Sequence, residues 1–180
     1  MALVMTIVCA CRAASAQIAA GEYEIKAAFL HHFAKFVDWP PTMLPPGAPL
    51  VIGLIGDDPF GRAIDDVIRR DATANGHRII VRRLHWNDSL AQCHIVFISS
   101  SEIDHLPQIL DSLRGVSVLT VADLDRFAQR GGMIELRTID GRVRFDINSD
   151  AATDVHLRIS SKLMQLARVV RSAAIAGALP

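Results

Sequence analysis

Hydrophobic and polar positions change period several times along this chain, and each change marks an element. From Glu22 to Val37, the apolar residues Ile25, Phe29, Phe33, Phe36 and Val37 recur at helical spacing while Lys26, His31 and Lys35 fall elsewhere, which predicts an amphipathic helix. Trp39-Pro40-Pro41 ends it, and the proline-rich stretch to Pro49 forms a rigid connector. Leu50 to Ile55 is a short apolar run suited to a strand buried on both faces, followed by a polar turn from Gly56 to Gly61 and a helix through Arg70. His77 to Leu84 is a second strand, placed near an edge by Arg78, Arg82 and Arg83. The β-branched and aromatic residues of Cys93 to Ile98 predict a third strand in the middle of the sheet, and His85 to Gln92 leaves room only for a turn of helix. A helix from Leu106 to Leu113, a strand from Val116 to Val121 and a helix from Asp123 to Arg130 complete the alternation.

Gly131-Gly132 opens a hairpin in which Met133 to Ile139 and Arg142 to Asn148 flank Asp140-Gly141, a dipeptide that favours positive φ at both central positions. Val143, Phe145 and Ile147 alternate with Arg142, Arg144, Asp146 and Asn148, so one face points inward and the other to water. A last helix is expected from Ala151 to Ala173, with Val155, Ile159, Leu163, Leu166 and Val170 on one stripe packed across the sheet. Strands separated by helices call for right-handed crossovers. The fold class is therefore α/β: a three-layer α/β/α sandwich whose mostly parallel sheet ends in an antiparallel hairpin.

The first residues change how the rest is understood. Ala2 to Cys11 is apolar but too short to span a bilayer, and Ala14-Ser15-Ala16 suits a signal peptidase, so an export signal over residues 1–16, cleaved after about Ala16, is expected. A single domain over residues 22–175 follows, exported and working without cytosolic nucleotides. Lys and Arg number 19 against 19 Asp and Glu, a balance that argues against nucleic acid as a partner. Cys9 and Cys11 leave with the signal, so Cys93 stays alone and no disulfide forms within the mature chain.

Candidate chemistry gathers where strands end. In an open α/β sheet, ligands sit beyond the carboxyl ends of the strands, and Asp57, Asp58, Ser99, Ser100 and Asp123 converge there as a candidate ligand-binding set. Strand ends also need turn formers and caps, which Asp58 before Pro59 and Asp123 at a helix start would supply. His31-His32 has no further ligand at metal spacing on its helix, and His94 beside Cys93 points to the opposite face of a strand. Neither Gly53-Leu54-Ile55-Gly56 nor Gly131-Gly132 has the spacing of a nucleotide loop. No catalytic set, metal site or cofactor is expected.

Eight segments in order carry a family resemblance: Lys26 to Leu30, Phe33 to Pro40, Gly56 to Gly61, Cys93 to Ser99, Leu119 to Asp123, Gly131 to Ile134, Arg144 to Asn148 and Ser160 to Leu163. Together they resemble the YfiR family over nearly the whole mature chain. The resemblance implies a periplasmic, non-enzymatic α/β protein, a homodimer in many members. It implies repression of a membrane-bound diguanylate cyclase through that enzyme's periplasmic domain, and sequestration by an outer-membrane peptidoglycan-associated lipoprotein. Disulfide control, which the resemblance also implies for some members, lacks a second mature cysteine here. Repression of this kind requires an apolar surface patch that either partner can occupy, with candidates on the first helix, which presents several Phe, and on the last, through Leu157, Met164, Ala167 and Ala174. The alternative function is a periplasmic small-molecule receptor or scavenger built on the aspartate and serine clusters.

Overall fold

The computed structural model describes residues 21–172, so the expected export signal and the end of the last expected helix, Ala174 included, lie outside the described residues. Helix α1, residues 21–36, runs into strand β1, Val37–Asp38. The main sheet is built from β2 (Leu50–Ile55), β3 (Thr73–Ala74), β4 (His77–Leu84), β5 (Ile95–Ile98), β6 (Leu119–Ala122), β7 (Ile134–Ile139), β8 (Arg142–Asn148) and β10 (Arg168–Val170). The small strand β9, Arg158–Ile159, pairs antiparallel with β1 apart from that sheet. Helices α2 (Ala63–Arg70), α3 (Leu106–Ser112), α4 (Ser149–Asp154) and α5 (Ser161–Leu166) complete the set, with 3₁₀ turns at Leu90–Gln92 and Ser100–His105. The strand order is β10-β8-β7-β6-β5-β2-β4-β3, parallel from β4 through β7 and antiparallel between β7 and β8. It is a mixed α/β sandwich with a mostly parallel sheet, and β5 sits in its interior as its apolar run predicts.

Two apolar clusters flank the sheet. On the first face, α1, α4 and α5 join Phe60 and Ile64 over inward residues of β2, β4, β5, β6, β7 and β8. On the second face, α3, Leu90, Cys93, Leu124 and Phe127 cover β2, β5 and β6. That second cluster contains no residue of β7, β8 or β10, so its apolar layer stops at β6, and beyond it the turn after Asp123 reaches Glu135 and Asn148 through polar contacts.

Four expectations are corrected by the structure. The helix expected from Ala151 to Ala173 is instead α4, β9, α5 and β10, broken where His156 takes φ +62° and residues 158–159 extend to pair with β1. Val155, Ile159 and Leu163 still reach the core, but from three different elements, while Leu166 stands in solvent. The expected helix from Asp123 to Arg130 is a turn, because Arg126 adopts φ +58° and the Glu135 carboxylate accepts the Arg126 and Ala128 amides at 3.2 Å each. The hairpin does not end the sheet, since β10 adds parallel to β8 beyond it. On α1 Phe29, Phe33 and Phe36 reach the core as expected, as does Val37 just after it, but the buried face is wider and takes in Lys26, Ala27, Leu30, His31 and Ala34, while Ile25 is exposed.

The hairpin itself forms in the expected register, with Asp140 at φ +49° and Gly141 at φ +70°. Its outward face is wet only near that turn, because Asp146 and Asn148 are buried.

Candidate functional site

The sheet order places its topological switch between β2 and β5, where the chain first adds β4 on one side and then returns to the other. Asp57, Asp58, Ser99 and Ser100 stand at the carboxyl ends of these two strands, and Asp123 follows β6, the next strand over. Local bonds occupy most of them. Asp58 accepts the Phe60 amide at 2.8 Å and the Gly61 amide at 3.2 Å, and its other oxygen pairs with Arg83 Nε at 2.8 Å. Ser99 is buried, its amide donating to Ile55 O at 3.0 Å, and Ser100 opens the 3₁₀ turn. Asp57 is exposed, with its amide donating to Ser101 Oγ at 3.0 Å.

Gly56 explains how closely this corner is packed. Its φ is +84°, and a Cβ there would lie 2.3 Å from Ser101 Oγ and 2.7 Å from Glu102 Cγ. Ser101 and Glu102 thus lie directly against Gly56 at the switch point, while Asp57 and Ser100 stay exposed beside them.

Asp123 works in a different neighbourhood. Its Oδ2 accepts Tyr23 Oη at 2.7 Å and Lys26 Nζ at 2.7 Å, and Lys26 also meets Glu22 at 2.6 Å and lies 4.4 Å from the centre of the Tyr23 ring. Burial and the bond to Asp123 raise the Tyr23 phenol pKa above its ordinary value. Burial works to raise the Glu22 pKa, yet bonds from Lys26 and Thr138 leave it lowered. The network closes one side of a cleft of about 230 Å³ that Arg137 and Asp125 also line.

The remaining candidates are structural. His31 contacts Asp71 O at 2.9 Å, while His32 faces solvent. His94 accepts the Val51 amide on Nδ1 at 3.0 Å, which leaves Nε2 to donate to Met43 O at 3.2 Å, and Trp39 Nε1 donates to its carbonyl. Burial lowers the His94 pKa, so the ring is held neutral. Cys93 is 1% exposed and burial raises its thiol pKa, so the sulfur is neither thiolate nor reachable.

A charged surface emerges where the second layer stops. On this face of β7, β8 and β10, the buried Asp146 is held by Arg137 Nη1 at 3.2 Å and by Arg168, whose Nε lies 3.0 Å from Oδ1 and whose Nη2 bonds to Oδ2. Arg142 and Arg144 stand exposed on the same face and enter no ion pair among the described residues. Arg137 and Arg168 thus neutralise Asp146, and toward the turn Arg144 and Arg142 follow on the same face opposite Arg137 and the exposed Ile139. The alternation in β8 gave a signal for this face, but Arg168 fell in the expected last helix and was not placed beside it. Of the two surfaces expected, the last-helix patch does not form: Leu157 is buried, and Met164 and Ala167 pack against the core.

A family model described as YfiR/HmsC-like matches residues 23–168, which spans both sheets and α1 to α5. The chain belongs to the YfiR/HmsC-like family. YfiR/HmsC-like proteins are periplasmic regulators of diguanylate cyclase signalling, regulatory rather than catalytic. No curated protein sequence matches this chain. Among solved structures, it is similar to the ABC domain in complex with L-Trp from Streptococcus pneumonia, at 10% identity and a TM-score of 0.50, over 67% of this chain and 55% of that one. This chain therefore spans about half the length of that protein, and the likeness is one of fold alone. For a YfiR/HmsC-like regulator the relevant features are surfaces, and among the described residues no helix is long and apolar enough to cross a membrane.

Proposed function

We propose that this chain represses an inner-membrane diguanylate cyclase by binding its periplasmic domain, lowering cyclic di-GMP signalling, with no chemistry of its own. The observation that carries this reading is the exposed hairpin end of the face of β7 and β8, where Arg142 and Arg144 stand in solvent with no ion pair among the described residues. Unpaired arginines on an exposed strand, next to Arg137 and Arg168, favour an acidic partner surface. Asp146 holds Arg137 and Arg168 in place, so these two side chains need little further ordering on binding. The further partners we propose are a second copy of the chain, as a homodimer, and a peptidoglycan-associated outer-membrane lipoprotein that competes with the cyclase.

Arg142→Glu and Arg144→Glu are the test, because neither side chain is in an ion pair that the fold uses. Each should fold normally, lose capture of the cyclase's periplasmic domain and raise cyclic di-GMP as deletion of the gene does. Normal capture and unchanged cyclic di-GMP in the double variant would remove this face from the mechanism. Unchanged cyclic di-GMP in the deletion would remove the mechanism itself.

A further inference from the structure

A second surface lies at the opposite part of the sheet, beyond the carboxyl ends of β4 and β5. Trp86 and His105 stack there with ring centroids 4.4 Å apart and planes 7° from parallel. His105 Nδ1 lies 2.9 Å from the Glu102 carboxylate, which fixes the imidazole and through it the indole. The Gly56 amide donates to Leu84 O at 3.2 Å, and Gly56 in turn abuts Ser101 and Glu102, so the end of β2 is tied to this stack. Despite these supports, Trp86 remains 38% exposed and its neighbour Ile103 40% exposed. A large aromatic ring ordered by neighbours yet left open to water is the usual form of a contact anchor.

Charge narrows what the anchor takes. Asp57, adjoining Gly56, Asp88, two residues beyond Trp86, and Asp104, beside His105, are all exposed and enter no ion pair among the described residues. We propose that the Trp86–His105 stack, with Asp57, Asp88 and Asp104 exposed on the chain segments next to it, is a docking point for an arginine side chain presented by a partner protein. The guanidinium group is planar, weakly hydrated and cationic, so it stacks on an indole face while its fork of N–H donors reaches carboxylates. A lysine ammonium lacks the planar face, and a sugar ring, though it can stack and hydrogen-bond, carries no charge, so its binding would not weaken with salt. This surface is independent of the arginine face on the hairpin, and its test needs no cyclase.

The test is NMR observation of the tryptophan indole resonances in the whole chain, with Trp86→Phe assigning which of the two belongs to Trp86. A short blocked peptide containing two arginines should shift the Trp86 resonance in a saturable way and leave Trp39 unmoved. Asp57→Asn with Asp104→Asn should weaken that binding several-fold, as should added salt. The same peptide with lysines should bind more weakly, and with glutamates not at all. No shift with the arginine peptide, an equal shift with a neutral peptide or a disaccharide, or binding unaffected by removing the two aspartates would each overturn the proposal.

Discussion

Lys26 Nζ lies 2.7 Å from Asp123 Oδ2, with both side chains almost wholly out of solvent, and this pair fastens α1 to the carboxyl end of β6 across 97 residues of chain. Removing one partner of a buried pair leaves the other charged and unsatisfied. Lys26→Met should therefore lower stability by about 3 kcal/mol or more in urea denaturation. Pairing it with Asp123→Asn should cost less than the sum of the two single changes, and strict additivity would show that the contact carries no coupling.

Tyr23 is the only tyrosine in the chain, so tyrosinate absorbance reports it alone. Burial and Asp123 raise its pKa, and ionisation should begin well above the usual ~10. A raised folded-state pKa means the contribution to stability is complete below the unfolded value and is lost as pH climbs through the folded one. Asp123→Asn should bring the titration down, and an unmoved curve would separate the phenol from that carboxylate.

His94 titrates in the other direction. Its pKa is lowered by burial, so unfolding takes up a proton, and its contribution is complete above ~6.5 and falls as pH drops toward the depressed value. Protonation at Nδ1 would also eject the Val51 amide, whose bond needs the lone pair. Stability measured from pH 7 to pH 5 should fall, and His94→Gln should flatten that slope.

A Cβ at Gly53 would sit 2.9 Å from Cys93 Sγ and 3.2 Å from Leu84 Cδ1, inside the second apolar cluster. Gly53→Ala should cost on the order of 1–3 kcal/mol by overpacking, and Cys93→Ala in the same chain should restore part of the loss. No restoration would place the strain on Leu84 instead.

The parts of the fold that were legible in the sequence are those whose causes are local. Leu50 to Ile55 is apolar throughout and becomes a strand with every residue buried, and Asp140-Gly141 turns the hairpin through its own backbone preferences. The parts that were not legible depend on distant partners. Lys26 looks like a solvent-facing residue until Asp123 is beside it, and the turn after Asp123 depends on Glu135 satisfying amides that a helix would have bonded internally. The last segment misleads by periodicity, because Val155, Ile159 and Leu163 share a helical spacing while belonging to a helix end, a strand and another helix. The strand-end residues Asp57, Asp58, Ser99 and Ser100 were placed correctly beside β2 and β5, but the approach of Ser101 and Glu102 to Gly56 has no signature in spacing. The arginine face escaped notice for the same reason as the last segment, since Arg168 joins it only once β10 lies beside β8.

Ending the outer layer at β6 divides the labour of the chain. Its apolar interior is completed by α1, α3, α4 and α5, so residues such as Arg142 and Arg144 are free to vary without loosening anything beneath them. Charge can therefore be reversed at these two positions while the packed interior stays as it is.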